Sequence, residues 1–110
     1  MDTSHVDLRE GTEEDFNREV LRSKVPVIVD FYADWCGPCK DLGSKLVSAH
    51  KESETFKLVK VNIDFLGDVA EKYDVSSIPA IFLFRGGEVV MSFTGNDDNK
   101  MKEMIKETKS

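Results

Sequence analysis

Only two of the 110 residues are cysteine, one is tryptophan, and no apolar run approaches the roughly 20 residues that a membrane-spanning helix needs. A multi-disulfide scaffold and a membrane span are therefore not expected. An excess of positive charge is also lacking, 21 Asp and Glu outnumbering 15 Lys and Arg for a formal net charge of −6, which argues against nucleic acid or an anionic membrane as partner because both require clustered Lys and Arg. Met1 to Asp7 lacks the basic and apolar regions of a secretory signal and the arginine-rich pattern of a transit peptide, so the expected location is cytoplasmic. With no repeat, low-complexity segment or linker, residues 1–110 read as a single domain, large enough to fold on its own core. No cysteine lies outside one short motif, which argues against a covalent dimer and favours a monomer.

That motif is Cys36-Gly37-Pro38-Cys39, entered from the nearly all-apolar stretch Val25 to Ala33. Two cysteines three residues apart across the first turn of a helix bring their Cα atoms to roughly 5 to 6 Å, within disulfide range. With Cys36 at the helix N-terminus, unpaired N–H groups and the macrodipole favour its thiolate. Cys36 then reads as nucleophile and Cys39 as resolving thiol. The competing reading is half a zinc site completed by His5 and His50, disfavoured because those histidines are expected to stand isolated from each other. A purely structural bridge is weaker still, since so short a loop removes little unfolded-state entropy. Gly37 and Pro38 tune the pair, proline suiting a first helical turn and stiffening the ring that the disulfide closes.

Hydrophobic periodicity supplies the frame. A short strand at Val6 to Leu8 precedes a helix capped by Thr12, with Phe16, Val20 and Leu21 at helical spacing. Val25 to Ala33 reads as a strand buried on both faces, as in parallel or mixed sheets. Leu42, Leu46 and Val47 form the stripe of a second helix, in which Gly43-Ser44 is a weak point. Leu58 to Ile63 is a strand, and Val69, Ala70 and Tyr73 mark a short helix. Ala80 to Phe84 and Val89 to Phe93 flank a Gly86-Gly87 hairpin turn, and Asp97 or Asp98 caps a last helix burying Met101, Met104 and Ile105. The order is β-α-β-α-β-α-β-β-α, an α/β chain. Within the apolar strand Asp30 is the exception, a carboxylate whose desolvation raises its pKa towards neutrality and suits it to take a proton from Cys39. Pro79, just before a strand, is expected to be trans on frequency alone.

Val29-Asp30-Phe31, Trp35-Cys36-Gly37-Pro38-Cys39-Lys40, Lys60-Val61-Asn62-Ile63-Asp64, Tyr73 to Pro79, Gly86-Gly87-Glu88 and Gly95 fall in an order and spacing that resembles the thioredoxin family over essentially the whole chain. The resemblance implies a five-stranded mixed sheet flanked by four helices on both faces. It implies a protein-disulfide reductase, a thiol–disulfide oxidoreductase serving electron transport and cell redox homeostasis, with no bound cofactor beyond the redox-active Cys36–Cys39 disulfide. The implied partners are disulfide-containing proteins, peroxiredoxins or ribonucleotide reductase among them, and an NADPH-dependent thioredoxin reductase. It further nominates Lys60 as the cation beside Asp30, reverses the expectation for Pro79 to cis, and has the Ile78 main chain pair with an extended substrate. Trp35, Gly37, Pro38, Ile78, Pro79 and Gly95 would form a flat apolar rim around Cys36. The chain departs from the commonest pattern at Tyr32, where a second tryptophan is frequent, and at Ser44, Ser77 and Ala80. An interaction module with secondary turnover is the alternative, which the intact motif, Asp30 and Pro79 disfavour.

Overall fold

The computed structural model describes residues 3–110; Met1 and Asp2, part of the expected 1–110 domain and of the N-terminal stretch read for targeting signals, lie outside the described residues. Five strands, β1 (His5–Leu8), β2 (Val27–Tyr32), β3 (Lys57–Asn62), β4 (Ala80–Arg85) and β5 (Glu88–Thr94), alternate with helices α1 (Glu13–Phe16), α2 (Gly37–Ser53), α3 (Gly67–Lys72) and α4 (Asp98–Glu107). They form one mixed sheet in the order β1-β3-β2-β4-β5, parallel among the first three and antiparallel from β2 through β5. This is the order of elements expected from periodicity.

Alternation along each strand divides the core between two faces. Val27, Val29 and Phe31 of β2 join Val59 and Val61 of β3, together with Phe16, Val20, Val69 and Ala70 from the first and third helices. Ile28 of β2 and Leu58 of β3 point the other way, into a cluster with Leu42 and Leu46 of α2 and Met101, Met104 and Ile105 of α4. Every residue of β2 is buried, which is why its sequence shows no polar alternation apart from Asp30. Asp30 continues the Ile28 row and so faces α2.

Thr12 closes a capping box with Asp15, its side chain accepting from the Asp15 N–H while Asp15 accepts from the Thr12 N–H at 2.8 Å. Beyond Phe16 the helix widens into a π-helical turn, Asn17–Leu21, sealed by the Arg22 N–H donating to the Asn17 carbonyl at 3.0 Å. Periodicity alone does not separate that turn from an α-helix. Glu19 on it reaches Lys57 Nζ at 2.5 Å, tying the helix to the start of β3 through a buried lysine. The 85–88 hairpin has both central glycines at positive φ, +61° and +81°, as the tight two-residue turn requires. At Gly87 a Cβ would also stand 3.0 Å from the Leu21 carbonyl oxygen.

Two expectations are corrected. Gly43-Ser44 does not interrupt α2, which runs unbroken through both; Gly43 is buried and leaves room where the helix crosses Asp30 and Lys60. The histidines are not isolated either. His5 at the start of β1 and His50 in α2 meet edge to face with ring centroids 6.2 Å apart. Parallel packing of β1 puts them at the end of α2 remote from the cysteines, His50 lying 14 residues and about 21 Å of helix from Cys36. They are not placed to complete a cysteine zinc site.

Candidate active site

The loop leaving β2 delivers Cys36 to the N-cap position of α2, with Gly37 at N1 and Pro38 at N2. Pro38 costs nothing there because its missing N–H would have had no helical acceptor. Cys36 has extended backbone geometry and its sulfur accepts from the Cys39 N–H at 3.2 Å, the role an oxygen plays at an ordinary N-cap. Cys36 and Cys39 are joined in a disulfide with Cα atoms 5.3 Å apart, in the range set by one helical turn. Both are buried, and with Tyr32, Ala33, Ile63 and Ile78 they make a small apolar cluster of their own.

Around that cluster the nominated rim residues take different levels. Trp35 is 70% exposed, its indole N–H donating to Asp64 at 3.0 Å, while Gly37 and Pro38 are also exposed. Ile78 is half-buried against the cysteines. The Ile78–Pro79 peptide is cis, and Pro79 is buried, a floor to the surface rather than part of its exposed edge. Gly95, at φ +87°, donates its N–H to the Pro79 carbonyl at 2.9 Å and fixes that loop beside the site.

Beneath the motif Asp30 has no exposed surface, and neither carboxylate oxygen has a hydrogen-bond partner among the described residues. Desolvation raises its pKa to about 7, against the opposing pull of Lys60 and with a smaller push from Asp7. Lys60 is its register partner on the parallel neighbour β3. A Cβ at Gly43 would stand 3.6 Å from both Asp30 Oδ2 and Lys60 Nζ, so carboxylate and ammonium face the same gap in the helix. Gly43 follows Cys39 by four residues, about 6 Å along the helix axis, so the gap that the carboxylate faces lies about one helical turn beyond the resolving cysteine. A group at that spacing is reached through a bridging water rather than by direct contact. A cavity of about 200 Å³ bordered by Cys39, Tyr32, Asp7 and Lys60 is roomy enough to admit it.

The structure thus gathers the nominated residues at the C-terminal end of β2, with Lys60 beside Asp30. Residues to which the sequence assigned no role at the site also belong to the neighbourhood: Gly43, Asp7, Asp64, and Arg9, which pairs with Asp34 and lies 5.7 Å from the Phe65 ring centroid. Among the described residues no three His, Cys, Asp or Glu side chains are grouped to hold a metal ion.

Comparison with known proteins gives the same picture. The family model described as Thioredoxin matches residues 7–107. The probable thioredoxin-2 of Caenorhabditis elegans is 41% identical over 96 residues, 86% of this chain and 66% of that protein. Thioredoxin of Streptomyces clavuligerus is 41% identical over 88 residues, covering 80% of this chain and 82% of its own length. The solved structure of Trichomonas vaginalis thioredoxin superposes with a TM-score of 0.81 at 36% identity, covering 93% of this chain and 95% of that one. This chain spans just under two thirds of the length of the nematode relative.

Proposed function

Because this chain belongs to the thioredoxin family, we propose that its Cys36–Cys39 pair works as a protein-disulfide reductase, with Cys36 attacking and Cys39 resolving. The observation that carries the reading is the N-cap geometry. The donor that holds the Cys36 sulfur, the Cys39 N–H, also favours negative charge on it once the pair is reduced. The Cys36 thiolate displaces one sulfur of a substrate disulfide, giving a mixed disulfide and a substrate thiolate, which takes a proton from solvent. Cys39 then gives its proton through water to Asp30 and attacks the Cys36 sulfur. The second substrate thiolate leaves, and the Cys36–Cys39 disulfide closes one helical turn.

Substrate enters over the exposed Trp35 and Pro38 surface, where an extended segment pairs with the Ile78 main chain and apolar contact excludes water from the exchange. Disulfide-bearing proteins are the substrates, peroxiredoxins and ribonucleotide reductase among them, and an NADPH-dependent thioredoxin reductase returns the two electrons. The cycle needs a compartment that keeps the pair reduced between turnovers, for which the cytoplasm is suited.

The order of attack has a direct test in Cys39→Ser. This variant retains the nucleophile and loses the resolving thiol, so it accumulates covalent adducts with disulfide proteins, released by dithiothreitol and mapping to Cys36 by peptide mass spectrometry. Adducts through any other residue, or none with a variant whose circular dichroism matches wild type, contradict the assignment.

A further inference from the structure

We propose that Asp7, held by the Tyr32 hydroxyl, is a positioning residue of the dithiol site: it shares the charge of Lys60 with Asp30 and, from the solvent-facing end of that row, sets how readily Asp30 takes a proton. This rests on the reading of Asp30 as acceptor of the Cys39 proton.

The strand registers make the arrangement. Asp7 on β1 is the partner of Lys60 on β3, and Lys60 is the partner of Asp30 on β2, so the three form one transverse row, carboxylate, ammonium, carboxylate, on the face covered by α2. Ile81, the partner of Asp30 on β4, ends the row with an apolar side chain. Tyr32 lies on the same face, two residues beyond Asp30. Its hydroxyl donates to Asp7 Oδ1 at 3.0 Å, and its ring centroid is 4.5 Å from Lys60 Nζ. Burial, and then the bond to Asp7, raise the Tyr32 pKa, so the hydroxyl remains a donor at neutral pH. One aromatic residue thus fixes the ammonium with its face and the outer carboxylate with its tip.

The two carboxylates differ in access. Asp30 is sealed, whereas Asp7 is exposed and borders the cavity of about 200 Å³ that also touches Cys39, Lys60 and Tyr32. Arg9 and Asp34, paired with each other, and Lys40 of α2 complete that border. Lys60, on the strand between Asp7 and Asp30, borders this cavity and Asp30 does not, so Asp7 stands at the solvent-facing end of the row and Asp30 at its sealed end. Negative charge at Asp7 opposes ionisation of Asp30, both directly across the row and by competing for Lys60, and so keeps Asp30 able to hold a proton.

The test uses the oxidised protein, in which neither cysteine titrates, and follows the Asp30 carboxyl by carbon-13 NMR in wild type, Asp7→Asn and Tyr32→Phe. Two strand spacings separate the carboxylates, and at that distance loss of the Asp7 charge lowers the Asp30 midpoint by about half a pH unit. Tyr32→Phe keeps the ring under Lys60 and releases Asp7, so it moves the midpoint the same way by less. In the reduced protein, the pH profile of mixed-disulfide resolution shifts with Asp7→Asn to lower pH by the same amount. An Asp30 midpoint unmoved in Asp7→Asn, or a resolution profile that stays put while the midpoint moves, overturns the proposal. Failure of the acceptor reading shows separately, as Asp30→Asn resolving mixed disulfides at the wild-type rate.

Discussion

Cys36→Ser brings insulin reduction, driven by NADPH and thioredoxin reductase, down to the background measured without the protein. The substitution is unusually clean structurally. Serine is among the best N-cap residues, so its hydroxyl can accept the Cys39 N–H that the sulfur accepts now, and α2 starts where it did. The fold loses a disulfide closing a loop of only a few residues, a small contribution to stability. What disappears is the chemistry, because an alkoxide is inaccessible at neutral pH and an alcohol does not displace a disulfide sulfur. Activity clearly above background in a variant with native circular dichroism would remove Cys36 as the nucleophile.

Asp30→Asn stabilises the oxidised protein, increasingly so as pH rises from about 4 to about 7. Asp30 is sealed in the fold with its pKa raised to about 7 from an ordinary 3.8. Between those values the folded protein holds the proton and the unfolded chain has lost it, so stability falls as pH rises across that window. Above pH 7 the whole penalty is present, and a shift of roughly 3 units corresponds to about 4 kcal/mol. Well below pH 4 both states are protonated and the penalty is gone. Asparagine cannot ionise, so its advantage over aspartate grows by about 3 to 4 kcal/mol between pH 4 and pH 8, read by urea unfolding at each pH. Unfolding curves for the two proteins that run parallel across this range would show that Asp30 is not held in a desolvated site. The same variant resolves mixed disulfides more slowly while still forming them, because only the acceptor for the Cys39 proton has been removed.

That stability is surrendered at Asp30 is itself informative. A leucine or valine would complete the Ile28 row without penalty, yet the strand carries a carboxylate without a hydrogen-bond partner among the described residues, one helical turn from a thiol that must lose a proton.

The sequence makes this part of the site readable because a lone charge in an apolar strand and a pair of cysteines at helical spacing are local signals. Thr12 and Asp97 are equally local, since caps are written in neighbouring residues, and both cap as their positions imply. What stays hidden depends on register. Asp7 reads as an ordinary polar residue of a short strand until β1 pairs with β3 and sets it opposite Lys60. The meeting of His5 with His50 has the same origin, a parallel edge strand laid beside the far end of α2. Gly43 looks like a defect when α2 is scored alone, and only the packed sheet shows two charged groups facing the space it leaves. The π-helical turn after Phe16 is missed for another reason: Val20 and Leu21 satisfy either winding, so apolar spacing cannot distinguish them. The cis state of Ile78–Pro79 goes against the base frequency of such bonds, and only the family resemblance pointed to it.

Disulfide reduction by this chain depends on the tip of α2 holding the Cys36 sulfur ionised. This is tested most directly by following thiolate absorbance at about 240 nm during a pH titration of reduced Cys39→Ser, in which Cys36 is the sole thiol. The thiolate is expected to be already formed at neutral pH, well below the midpoint of about 8.5 of an unperturbed cysteine. A thiol that stays protonated through neutrality and ionises at or above that ordinary value would contradict it.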